Sequence, residues 1–146
     1  MNKETKMLLE KFQGVLSGST SAKEQGVDVA PNDIDIFFVS WGQAIVALAY
    51  LIHCGWVPDI KSEPKRYNKR LVSWNKTVKK EGVVIDIVVP TTFPEFDPQT
   101  RFVTLRYLLQ RHLERNGYAS PAEGQNPHLL VEIDEYSRKL LEKIIS

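Results

Sequence analysis

The sequence predicts an α+β fold, an α/β sandwich in which a mixed β-sheet carries three aspartates and is flanked by helices. Two patterns lead there. Asn32–Val39 and Val83–Val89 set aliphatic residues around isolated aspartates at strand spacing. Glu4–Phe12, Phe102–Leu113 and Asp134–Ser146 place apolar residues on one side at helical spacing, while Trp41–Cys54 is apolar nearly all round. A third observation bounds the size. The 146 residues, 42% hydrophobic and 25% charged, suit one domain, 1–146, with a real core.

In chain order, Glu4–Phe12 is a short packing helix with Met7, Leu8 and Phe12 on one side. Gln13–Leu16 is then a brief strand ending at Gly18 and Ser19, and Thr20–Gln25 forms one or two helical turns stopped by Gly26. After the strand Asp33–Val39, Ser40 caps a helix over Trp41–Cys54 that ends at Gly55 and is expected to be deeply buried on the sheet. Val72, Trp74 and Val78 alternate with polar residues, which suits a half-exposed strand, and Lys79-Lys80-Glu81-Gly82 turns into the strand bearing Asp86. Pro90 closes that strand. Asp97-Pro98 reads as an N-cap followed by proline at the first helical position, opening a helix that closes at Asn116-Gly117. Tyr118–Pro127 is loop, and Asp134–Ser146 is a final helix.

Charge and cysteine usage narrow the function classes. A formal net charge of +1 gives the whole molecule no general attraction for nucleic acid or anionic membrane. Cys54 stands alone, which excludes an internal disulfide and a CxxC-type zinc site and suits a cytoplasmic setting. No signal peptide is visible, and the longest apolar run, Ala44–Ile52, is too short to span a bilayer.

The chemistry concentrates in the aspartates. Asp33 and Asp35 alternate with Ile34 and Ile36, so on a strand both carboxylates share one face. Like charges that close resist ionising together, and a hard divalent cation such as Mg2+ or Mn2+ relieves the conflict. Asp86 lies alone among valines and isoleucines, where a buried carboxylate needs a partner or a metal. Each has a plainer explanation. Asp33 can be a turn residue after Pro31-Asn32, Asp35 can pair with a lysine or arginine, and Asp86 can face water on an edge strand. Upstream, Gly18 allows close approach of backbone N–H groups to phosphate and Ser19 adds a hydroxyl, although a structural Gly-Ser turn has the same sequence. A P-loop is rejected, because Gly14 and Gly18 lack its spacing and no Lys-Ser or Lys-Thr follows.

The ordered set of Gly18-Ser19, Asp33-Ile34-Asp35 and Asp86 resembles the nucleotidyltransferase superfamily related to DNA polymerase beta. Gly26-Val27-Asp28-Val29-Ala30-Pro31-Asn32-Asp33-Ile34-Asp35 is especially similar to its small bacterial and phage-type members. The matching region runs from Leu16 to Pro90, with a helical part over 97–146 beyond it. The resemblance implies a nucleotidyltransferase-like fold in which Gly18 and Ser19 hold the triphosphate. Asp33 and Asp35 would bind Mg2+ or Mn2+, and Asp86 would serve the acceptor side as metal ligand, general base or both. It implies transfer of a nucleoside monophosphate from a nucleoside triphosphate, ATP first among them, to a hydroxyl of a small molecule, RNA or protein, with release of pyrophosphate. Two alternatives stand beside it. One is a catalytically silent relative acting as nucleotide sensor or antitoxin-like partner. The other is a nucleic-acid-binding module built on the basic 61–80 stretch, with Tyr67 and Trp74 as stacking groups.

That basic stretch is expected to bring Arg66, Lys69, Arg70 or Lys76 near the bound phosphates, or to be a solvated edge defended by lysines. His53 reads as a packing or capping residue. Glu132, Asp134 and Glu135 read as charges serving a helix dipole rather than a second metal site.

Overall fold

The computed structural model describes residues 1–59, 63–67, 70–116 and 133–146, with backbone alone for 63–67 and 70–72. Its elements are α1 (Lys3–Glu10), β1 (Val15–Ser17), α2 (Gly18–Glu24), β2 (Ile34–Phe37), α3 (Trp41–His53), β3 (Val57–Pro58), β4 (Glu63–Tyr67), β5 (Arg70–Lys80), β6 (Val83–Pro90), α4 (Leu105–Arg115) and α5 (Glu135–Ile145). The strands form one mixed sheet in the order β1-β2-β6-β5-β3, with β4 also paired to β5. β2 and β6 run parallel, and the other described pairs are antiparallel. The β5–β6 hairpin closes through Glu81 and Gly82, with φ of 51° and 80°, the backbone that a two-residue turn needs to match strand twist.

Strand alternation divides the aliphatic side chains between two cores. Leu16, Ile36, Ile85, Ile87, Val89 and Val78 point to one face, where Leu8 and Leu9 of α1 and Ala44, Ala47 and Leu51 of α3 cover them. Val15 and Phe37 point to the other, against Ala22 of α2, Leu108 of α4 and Leu140 of α5. Helices on both faces of a sheet are the layered solution that buries two apolar surfaces. No described helix is long and apolar enough to cross a membrane.

Three elements depart from expectation. α3 is not deeply buried. Only Ala44, Ala47 and Leu51 are buried, while Ile45, Val46 and Ile52 are 59%, 55% and 50% exposed, because the helix lies on the outside of the sheet. Asp97 does not start a helix. Residues 97–103 double back: Arg101, at φ 62°, donates Nε to the Gly14 carbonyl (2.8 Å) and Nη2 to that of Gln13 (2.9 Å). Leu16 and Phe102 form a parallel bridge, so this segment runs alongside β1, and α4 begins only after Thr104, whose hydroxyl accepts from the Tyr107 N–H. Tertiary hydrogen bonds thus override the Asp-Pro start signal. β5 keeps its expected alternation at Val78, which is fully buried, but departs from it around Trp74, which is 37% exposed while Ser73 and Asn75 are each only 7% exposed. The expected loop Tyr118–Pro127 lies outside the described residues.

Candidate active site

The site is set by register. Ser17 pairs with Asp35 across β1 and β2, Asp35 with Asp86 across β2 and β6, and Asp86 with Thr77 across β6 and β5. Directly paired residues share a face, so Ser17, Asp35, Asp86 and Thr77 form one polar row across four strands. Neighbouring strands lie ~4.8 Å apart, which sets the two aspartates side by side. The same alternation sends Ile34, Ile36, Ile85 and Ile87 to the opposite, buried face. The aliphatic run around Asp86 thus serves the core while its carboxylate serves the row.

The turn between β1 and α2 abuts Asp35. Gly18 has φ +67°, a backbone conformation that favours glycine, and a Cβ built on it would stand 2.6 Å from Asp35 Oδ2 and push that carboxylate aside. Ser19 follows, half-buried, and lines an open cleft of about 310 Å³ with Val29, Ala30, Glu135, Tyr136 and Lys139. α2 is anchored behind the turn. The Thr20 hydroxyl donates to the Asp33 carbonyl (3.0 Å), and Ser21 and Gln25 Nε2 both donate to the Val103 carbonyl (3.0 and 2.9 Å).

Asp86 is held from β5. Asn75 Nδ2 donates to Oδ2 at 3.0 Å and Thr77 Oγ1 to Oδ1 at 3.2 Å. Neither residue stands out in the sequence. The polar alternation Ser73-x-Asn75-x-Thr77 suits a solvent face, and only its register with Asp86 assigns it to the site.

The three sequence-predicted carboxylates are therefore not equivalent. Asp35 and Asp86 are partly buried and adjacent, whereas Asp33 is exposed in the bend ahead of β2. Among the described residues, no three His, Cys, Asp or Glu side chains are gathered closely enough to hold a metal ion. Two carboxylates still fit Mg2+, which commonly takes one or two from protein and completes its shell with water and substrate phosphate. Lys76 pairs with Ile87, on the face opposite Asp86, and so does not reach the row. β4 joins β5 at residues 70–75, which leaves Arg70 seven residues, or ~23 Å of strand, from Thr77. Lys69 lies outside the described residues, as do the side chains of Arg66 and Arg70.

Elsewhere, Asp134 caps α5 by accepting from the Ser137 N–H (2.7 Å) and pairs with His112 Nε2 (2.8 Å). The Ser137 N–H, and after it His112, bring its carboxyl down to about 2. Glu135 lies in the first turn, so the described part of this acidic cluster serves the helix, and Glu132 lies outside the described residues. His53 is exposed as the last residue of α3. No family model, curated protein or solved structure matches the chain.

Proposed function

We propose that the chain is a metal-dependent nucleotidyltransferase with a nucleotidyltransferase-like fold, moving a nucleoside monophosphate from a nucleoside triphosphate, ATP first among them, to a hydroxyl acceptor. The observation that carries this reading is the in-register pairing of Asp35 with Asp86 beside Gly18, whose missing side chain leaves backbone against the carboxylate. Side-by-side carboxylates repel, and a cation shared between them removes that cost. Bound there, Mg2+ or Mn2+ supplies Lewis-acid stabilisation of charge on phosphate oxygens.

In this mechanism Gly18 N–H and Ser19 hold the donor phosphates, and Asp35 orients the α-phosphate side of the site. Asp33, exposed at the mouth of β2, adds a carboxylate as the donor seats. The acceptor oxygen attacks the α-phosphorus in line, forming a new P–O bond as the α–β anhydride breaks and pyrophosphate leaves with the bonding pair. Asp86 receives the hydroxyl proton or passes it to water. Acceptors of this class include small molecules, RNA and proteins, and a cytoplasmic location would suit a triphosphate donor.

A label-transfer and pyrophosphate-release assay with each α-labelled triphosphate and Mg2+ tests the reading. Transfer is expected with one or more triphosphates and lost in Asp35→Ala. Equal behaviour of the two proteins contradicts it.

A further inference from the structure

β5 carries two polar side chains that the reaction outlined above leaves without a task. Ser73 and Asn75 are each 7% exposed, and a buried amide and hydroxyl need hydrogen-bond partners, which both find here. Their bonds run one way. Ser73 Oγ donates to Asn75 Oδ1 at 2.7 Å, which turns Asn75 Nδ2 toward Asp86 Oδ2 at 3.0 Å. Thr77 Oγ1 reaches the other oxygen, Oδ1, at 3.2 Å. A donor on each oxygen fixes both the position and the plane of a carboxylate, as one donor alone would not. Asp35 pairs with Asp86 from the other side of β6, so the two donors approach Asp86 from β5 while Asp35 flanks it from β2.

We propose that Asn75 and Thr77 are positioning residues that orient Asp86 toward a divalent cation held jointly with Asp35, with Ser73 setting the flip of the Asn75 amide. The inference rests on the nucleotidyltransferase reading and adds to it the outer layer of the metal site. Groups that orient metal ligands in this way typically carry ~10–100-fold in metal affinity or activity.

The test compares wild type with Thr77→Val, Thr77→Ser and Asn75→Ala. Mn2+ binding is followed by the electron paramagnetic resonance signal of free Mn2+, with and without ATP. Label transfer is titrated with Mg2+. Thr77→Val keeps the size of threonine and replaces its hydroxyl by a methyl group, and circular dichroism checks that each variant is folded. Expected are ~10-fold or greater weakening of Mn2+ binding and of the Mg2+ midpoint in Thr77→Val and Asn75→Ala, a fall in kcat with little change in KM for the triphosphate, and recovery in Thr77→Ser. Folded variants that bind Mn2+ and respond to Mg2+ as wild type does overturn the positioning role while leaving the nucleotidyltransferase reading intact. A wild-type chain that neither binds Mn2+ nor transfers label overturns both.

Discussion

Gly18 is the residue at which backbone geometry and site chemistry meet. Its φ of +67° is costly for any residue with a Cβ, by ~1–2 kcal/mol, and its missing side chain is what leaves room for the Asp35 carboxylate. Gly18→Ala is therefore expected to lower unfolding free energy by at least ~1–2 kcal/mol in a denaturant titration, and to displace Asp35. An unchanged midpoint would mean that the turn is not held as described. At this scale the sequence was informative about Asp35 and Asp86, because period two separates each from its isoleucine neighbours whatever the fold. It was silent on Asn75 and Thr77. A polar residue on a strand means water or a buried partner, and only the register of β5 against β6 decides between them. Asp33 lies just ahead of β2, where its carbonyl accepts from the Thr20 hydroxyl.

At the scale of elements, local signals governed where the chain left them unopposed. Ser40 caps α3 through the Gln43 N–H, and Asp134 caps α5 through that of Ser137. Asp97-Pro98 carries an equally good start signal, yet Arg101 draws the segment onto β1, with its guanidinium 5.2 Å from the centroid of the Phe96 ring, and the helix waits for Thr104. No local pattern reports a contact 87 residues away. The uniform apolarity of α3 misled for a related reason, since composition around a helix cannot say which side lacks a partner. The α5 cap gives a pH prediction. Because folding lowers the Asp134 carboxyl to about 2, its stabilisation is complete above the unfolded value near ~3.9 and is lost as pH falls through about 2. Asp134→Ala is expected to cost ~1 kcal/mol at pH ~5 and above, with the gap to wild type closing as the pH is taken down toward ~2. Denaturant midpoints across that range check it, and a gap that widens on acidification contradicts it.

For the molecule as a whole, the α+β class and the helices on both sheet faces were legible because two periodicities, 2 and 3.6, sort the aliphatic residues into separate cores. Strand order was not, because the parallel pairing of β2 with β6 joins residues about fifty positions apart, and nothing local encodes it. That single pairing turns two unremarkable aspartates into neighbours. Whether their adjacency serves a cation is best read from thermal unfolding of wild type, Asp35→Asn and Asp86→Asn in chelator and in Mn2+, each with and without ATP. A ligand that binds only the folded chain raises its stability by RT ln(1 + [L]/Kd). Expected is a rise in the wild-type midpoint with Mn2+, larger with ATP, that either substitution abolishes. A wild-type midpoint indifferent to Mn2+ and ATP, or variants that respond as wild type does, would contradict it.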